Sequence, residues 1–176
     1  KPRAAATLQA TFADITTAVA GVGALLAARV VPSTIEIVDS GSLAAVERYL
    51  GRAVAPVGTG ALLVVEVDGV PAGVAEEVAL VEEACRSAGA LSVHRATTED
   101  ERQQVWEARR QLSYALRAAA PRKINHDVSV PRGRVPQLYA LVARLERDYQ
   151  LWIPSFGHAG DGNIHVNFMV NPDDAG

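Results

Sequence analysis

With one cysteine, Cys85, among 176 residues, the chain cannot form an internal disulfide, and a reducing compartment is favoured. Nor does any apolar run approach the roughly 18 residues that a membrane helix requires. The most apolar helical stretch, Ala18 to Ala28, is short and interrupted by Gly21 and Gly23. There is no excess of either charge: 17 Lys and Arg against 20 Asp and Glu leave a formal net charge of −3, so nothing points to nucleic acid or an anionic membrane. No Gly-x-Gly-x-x-Gly follows a strand pattern and no P-loop is present. Internal repeats and low-complexity linkers are also missing. The opening Lys1-Pro2-Arg3 carries no initiator Met and no signal-peptide core behind it, and the chain halts at Asn171 to Gly176 just after an apolar run. Both ends therefore read as cut, with 1–176 expected to be one domain of a longer, cytoplasmic protein.

What is present suits a packed core: 49% of residues are hydrophobic and 21% charged, ordinary values for a soluble domain. Leu8, Ala10 and Phe12 alternate with polar residues as a first strand. Asp14 can cap a helix striped by Ile15, Val19, Val22 and Leu26. Thr34 to Val38 reads as a second strand, Leu43, Val46 and Leu50 as a short helix ending at Gly51, and Leu62 to Val67 as the clearest buried strand. Pro71 opens a helix carrying Val74, Val78, Val81 and Cys85 on one face, which makes Cys85 a small core hydrophobe. Leu91 to His94 follows as a strand, with His94 on its polar face. Thr98 and Glu101 form a capping box for a long helix that runs to about Ala119 and is broken by Pro121. Asp127 to Val130 is a short strand, Pro136 opens a helix with Leu138, Leu141, Val142 and Leu145 inward, and Trp152 to Phe156 and Ile164 to Val170 are the last strands. The order β-α-β-α-β-α-β-α-β-α-β-β predicts an α+β fold, a ferredoxin-like layered sheet with helices on one face.

The most informative segment runs from Phe156 to Asn167, FGHAGDGNIHVN. Gly157, Gly160 and Gly162 permit tight turning and close backbone approach. Beyond the turn, the period of two points Ile164, Val166, Phe168 and Val170 one way and His165 and Asn167 the other. A turn that returns on itself brings His158 toward the same polar face. Two imidazoles beside amide side chains suit metal ligation or acid–base chemistry. The plain alternative is a glycine-rich hairpin with a polar tip. Asp161, inside the turn, is expected to make an Asx-type hydrogen bond. On the long helix, Trp106, Arg109, Arg110 and Ser113 fall on one side, where a guanidinium could grip a carboxylate in bidentate fashion. The structural alternative is a surface arginine stacked on Trp106. Glu36 and Asp39, by themselves, read as structural, and Arg132 and Arg134 as solvated charges.

FGHAGDGNIHVN resembles the H-x-G-D-G-N-x-H signature of the FAD-linked oxidase C-terminal domain family, which includes glycolate oxidase catalytic subunits, D-lactate dehydrogenases and D-2-hydroxyglutarate dehydrogenase. Pro32 to Asp39 resembles that family's P-x-A-x-E-x-x-D segment, Val105 to Arg109 its L-W-x-x-R segment, and Asp127 to Pro131 its D-x-S-x-P segment, all in the family's order. The resemblance implies the substrate, or cap, domain of a vanillyl-alcohol-oxidase-type flavoprotein, with FAD bound mainly by a domain outside this sequence. It implies a divalent metal, of zinc or manganese type, on His158 and His165, which would also serve catalysis. Arg109 and Ser113 would bind the substrate, and Asn163 would lie close to substrate or flavin. Two departures stand out. Some relatives have a lysine two residues before the D-x-S-x-P aspartate, where this chain has Asn125 with Lys123 displaced by two, and His126 is a candidate polar substitute. The family's later Glu-His-Gly segment, with the third metal ligand, is not in this sequence.

The expected function is therefore that of a fragment of an FAD-dependent oxidoreductase. Its parent would oxidise a D-2-hydroxy acid of lactate, glycolate or 2-hydroxyglutarate type to the 2-oxo acid, the isolated chain being inactive. The electron acceptor is left open, and a homodimer is admitted. A non-catalytic ferredoxin-like binding or oligomerisation module is the competing expectation, and a metal hydrolase using the two histidines with Asp161 a third.

Overall fold

The computed structural model describes residues 4–171, so the terminal segments at 1–3 and 172–176 lie outside the described residues. The elements are β1 (Ala4–Phe12), α1 (Ile15–Ala27), β2 (Thr34–Asp39), α2 (Ser40–Leu50), β3 (Ala61–Gly69), α3 (Pro71–Ser87), β4 (Ser92–Arg95), α4 (Glu99–Ala119), β5 (Arg122–Ser129), a 3₁₀ turn (Arg132–Arg134), α5 (Val135–Tyr149), β6 (Ser155–His158) and β7 (Asn163–Val170). The order is the one the hydrophobic periodicities dictate. All seven strands form one sheet, β4-β1-β3-β2-β6-β7-β5, and every neighbouring pair is antiparallel.

The α+β class holds, but the helices cover both faces of the sheet rather than one. β3 explains why. Its run is apolar on both sides, so Leu63, Val65 and Val67 pack with α1, α3 and α5, while Leu62 and Val64 pack with α2 and α4. The first layer is the larger, holding Phe12, Leu25, Ile37, Val81 and Ile164. The second core is smaller, built on Leu43, Val46, Leu112, Leu116 and Phe156. Its face becomes polar toward β6, β7 and β5.

Local signals decide most boundaries. Asp14 caps α1 by accepting from the Thr17 N–H at 2.8 Å, and Gly51, left-handed at φ 66°, closes α2. Thr98 caps α4 by accepting from the Glu101 N–H, but the Glu101 carboxylate reaches one residue further back than a capping box requires, to the Thr97 N–H at 2.7 Å. Two strands differ from expectation. β5 begins at Arg122, five residues early, because an edge strand with mostly exposed side chains carries little apolar signal. β6 begins at Ser155, since Pro154 has no N–H to donate and Trp152 makes only an isolated bridge to Met169. Cys85 is fully buried, as its stripe requires, and burial pushes its thiol up to about 11.

Asp39 ties β2, α2 and β6 together: Oδ1 accepts from the Ser42 N–H at 2.8 Å and Oδ2 from the Ser155 N–H at 2.6 Å. Asp39→Ala leaves both donors unmatched and should cost about 1–3 kcal/mol in denaturant unfolding. A loss within a few tenths of a kcal/mol of zero would contradict this role.

Candidate functional site

The site occupies the polar end of the face beneath α4, and strand register builds it. In the β6–β7 hairpin, His158 pairs with Asn163 and Phe156 with His165. In β5–β7, Asp127 pairs with His165 and Ser129 with Asn163. In β2–β6, Glu36 pairs with His158. Partners across a sheet share a face, so Glu36, His158, Asn163, His165, Asp127 and Ser129 all project to the same side. The two imidazoles are diagonal neighbours, edge to face with centroids 5.6 Å apart.

The turn Ala159–Gly162 makes this possible. Gly162 sits at φ 80°, and a Cβ there would lie 2.1 Å from the Val130 carbonyl oxygen. A Cβ on Gly157 would lie 2.5 Å from the Asn163 carbonyl oxygen. Asp161 makes the expected Asx bond, accepting from the Asn163 N–H at 3.0 Å, and so belongs to the turn.

Each imidazole is held by a carboxylate through Nδ1. His158 Nδ1 lies 2.6 Å from Glu36 Oε1, and His165 Nδ1 lies 2.5 Å from Asp127 Oδ1. A neutral imidazole bonded this way carries its proton on Nδ1 and presents Nε2 as the basic, ligating nitrogen. The His165 bond, followed by one from Asn125, holds the Asp127 carboxyl below the usual aspartate range.

Arg109, on α4, reaches the same carboxylate as His158: Nε donates to Glu36 Oε2 at 2.8 Å. Its guanidinium lies 4.8 Å from the centroid of the Phe156 ring. Arg109 is thus neither exposed nor stacked on Trp106, whose Nε1 instead donates to Glu66 Oε2 at 3.0 Å. Glu66 also accepts from Thr7 and Arg102, so two carboxylates on neighbouring strands pin α4 to the sheet. Arg109, Ser113, Phe156 and His165 line one open cleft of about 330 Å³ together with Lys123 and Arg117. His158 and Asp161 open onto an adjoining groove beside Thr34 and Ile35. Asn163 is on the site's face, 3.4 Å from the Ser129 hydroxyl.

Some expectations need correction. Arg110 is exposed and lines a separate surface with Glu107 and Asp100, because as the residue after Arg109 it lies about 100° further around the helix. His126 faces the opposite side of β5, edge-on to Phe168 at 5.7 Å, so it does not substitute for a cleft lysine. Lys123 does enter the cleft, since a displacement of two along a strand preserves the face. Glu36, read as structural, does tie elements together, but it does so within the site, through Arg109 and His158. The one signal for it was an acidic residue inside an otherwise apolar strand. His94 is exposed, 3.8 Å from Glu101, and Arg132 and Arg134 are exposed as expected.

The sequence profile of the family described as "FAD linked oxidases, C-terminal domain" matches residues 1–176. The chain is 34% identical over 165 residues to the glycolate oxidase subunit GlcD of Bacillus subtilis, covering 94% of this chain and 35% of that protein. It is 32% identical to GlcD of Escherichia coli over all of this chain and 35% of that protein. With the probable mitochondrial D-lactate dehydrogenase of Danio rerio, identity is 30% over 93% of this chain and 33% of the relative. The chain thus spans about a third of the length of the curated relatives it matches. Among solved structures, p-cresol methylhydroxylase with substrate bound superposes with a TM-score of 0.68 at 13% identity, over 97% of this chain and 39% of that one. At that identity the likeness speaks for the fold alone. Among the described residues no helix is long and apolar enough to cross a membrane.

Two outcomes follow from this geometry. Gly162→Ala should cost more than about 1 kcal/mol, because a left-handed residue blocked by a carbonyl cannot relax cheaply. An unchanged denaturation midpoint would contradict the turn. Asp127 should titrate below the ordinary aspartate value, and its carbon NMR titration should move up toward that value in His165→Ala. Being lowered, it contributes stability that is present above the unfolded value and lost as pH falls through the folded one. A titration unmoved by the substitution would remove the pairing.

Proposed function

The chain belongs to the FAD-linked oxidase C-terminal domain family, and from that premise we propose that it is the substrate-facing part of a flavoprotein that oxidises a D-2-hydroxy acid to the 2-oxo acid. The observation that carries this is the convergence of Arg109, Ser113 and His165 on one cleft, with the His158 ring against His165 and each Nδ1 held by a carboxylate.

Arg109 would hold the substrate carboxylate. Its bond to Glu36 uses Nε, and no other hydrogen bond to the described residues engages the guanidinium, so both Nη groups are left for a bidentate grip. The Ser113 hydroxyl, one turn further along α4, adds a second contact. An imidazole Nε2 would accept the proton of the substrate hydroxyl as the C–H bond at the α-carbon breaks. Glu36 and Asp127 would keep His158 and His165 in the required tautomer and stabilise the charge that develops. Asn163, beside both imidazoles, would contact substrate or flavin. Phe156 walls the cleft beneath the Arg109 guanidinium.

Bound mainly outside this chain, FAD would supply the two-electron acceptor for the hydride leaving the α-carbon. A divalent metal fits the donor set in part: His158 and His165 offer two Nε2 ligands with carboxylate-supported Nδ1 groups, although no cluster of three ligating residues occurs among the described residues. Bound there, such an ion would supply Lewis acidity at the substrate hydroxyl.

The flavin-loaded protein should bleach anaerobically on addition of D-2-hydroxy acids. His158→Ala should slow that bleaching by about 10²- to 10⁴-fold while flavin content persists. A flavin that stays oxidised in the parent sinks the substrate class, and a His158→Ala variant with normal rates sinks the role of the imidazole.

A further inference from the structure

The two edges of the sheet are finished differently. β4, at one end, has four residues, too few to offer much of a ladder. β5, at the other, has eight, and it pairs with β7 from Arg122 to Ser129 without a bulge. Pro121 and Pro131 flank the strand, but no proline lies inside it. The ladder also shows which backbone groups face outward. Just past the Ser129–Asn163 pair, the Val130 N–H donates to the Gly162 carbonyl, so the even-numbered residues of β5 bond to β7. On β7 the odd-numbered Asn167 and Met169 donate to Pro154 and Trp152, on the β6 side, which agrees with that phase. Lys123, Asn125 and Asp127 therefore turn their N–H and C=O groups away from β7, and among the described residues no strand pairs with that side. A long, flat, unpaired edge is a template for another strand.

We propose that this edge pairs with the β5 edge of a second copy of the chain, about a two-fold axis through Asn125, joining the two sheets into one. Charge and register select this occupant. Directly opposed residues in an antiparallel ladder share a face, and the doubly bonded pairs must fall on the outward-facing odd residues. Centred on Asn125, the pairing sets Lys123 against Asp127 of the partner subunit, and the symmetry repeats that ion pair. Ile124 meets the partner's His126, and no like charges are opposed. An axis through His126 would set Lys123 against Ser129, and one through Ile124 would set it against Asn125, so neither gains an ion pair. Both charged groups have bonding capacity to spare. Asp127 receives His165 and Asn125 on Oδ1, leaving Oδ2 without a hydrogen bond among the described residues. Lys123 gives one ammonium hydrogen to the Ser113 hydroxyl and has no carboxylate partner among the described residues. Charges on an edge strand ordinarily repel a second strand; in this register they attract it. The pairing also reaches the site. Asp127 orients His165, so Lys123 of the partner subunit lies against the carboxylate that holds one imidazole. The interface does not depend on which substrate the protein oxidises.

The test uses the flavin-loaded full-length protein, which should sediment as a dimer at micromolar concentration. Asn125→Pro removes an outward N–H and no bond to β7, so it should weaken the dimer without unpairing β5. Lys123→Glu makes both symmetry-related pairs repulsive and should raise the dimer dissociation constant roughly 10- to 100-fold. Combining Lys123→Glu with Asp127→Lys reverses both signs and should restore the dimer. Hydrogen exchange on the unsubstituted protein keeps the test independent of how the variants fold: the Lys123, Asn125 and Asp127 amides should be protected in the dimer and lose that protection on dilution. A monomer, a dimer indifferent to these substitutions, or no rescue by the reversed pair would overturn the interface. Protection of these amides that persists in a monomer would also overturn it, and would mean that another part of the full-length chain covers the edge.

Discussion

A carboxylate buried between two layers of structure must be compensated, and in this chain that constraint falls on Glu36. Its side chain is almost entirely withdrawn from solvent, on a strand whose other residues are mostly apolar. One oxygen is taken by the Arg109 guanidinium from α4 and the other by the His158 imidazole from β6. An unpaired charge at that depth would cost several kcal/mol. The pairing is therefore not an ornament on the site. It fixes where α4 lies over the sheet and which way the glycine hairpin turns its first histidine. Glu66, one strand over, repeats the device with Trp106 and Arg102 in a less buried setting.

The same constraint orders the short motifs spread through the chain. The P-x-x-x-E segment contributes Glu36, the W-x-x-R segment Trp106 and Arg109, and the H-x-G-D-G-N-x-H segment His158 and His165. The D-x-S-x-P segment contributes Asp127 and Ser129. In sequence these lie scattered over more than a hundred residues. In the sheet the antiparallel register sets Asp127 against His165, Ser129 against Asn163 and Glu36 against His158. The spacing inside each motif, two residues from acid to hydroxyl and two from Asn163 to His165, is the strand period that keeps all of them on one side.

This explains what could be read in advance and what could not. The order of elements, the capping by Asp14 and Thr98, the burial of Cys85 and the face shared by His165 and Asn167 are local, and local periodicity carried them. The meeting of Glu36 with Arg109, 73 residues apart, depends on strand order. No periodicity encodes that a second strand will neighbour a sixth. The distribution of helices over two faces was missed for a related reason: the apolar run of β3 announces burial but not how many layers provide it. β5 was shortened because an exposed edge strand lined with Lys123, Asn125 and Asp127 resembles a loop. Arg110 was placed on the side of α4 that carries Arg109 because i+3 and i+4 were treated as equivalent, whereas the sheet lies under only one of them.

Glu36 also limits what Arg109 can do. A guanidinium whose charge is already balanced by a buried carboxylate contributes direction to a ligand more than long-range attraction, since a pair of opposite charges projects little field beyond its own length. A cleft that relied on Arg109 alone would orient a hydroxy acid well and attract it weakly. The positive potential must then come from cations without a carboxylate, and Lys123 and Arg117 are the two that face the same space. The cleft thus has a rigid ion pair at Arg109 and Glu36, and about a turn away two cations with no carboxylate partner among the described residues.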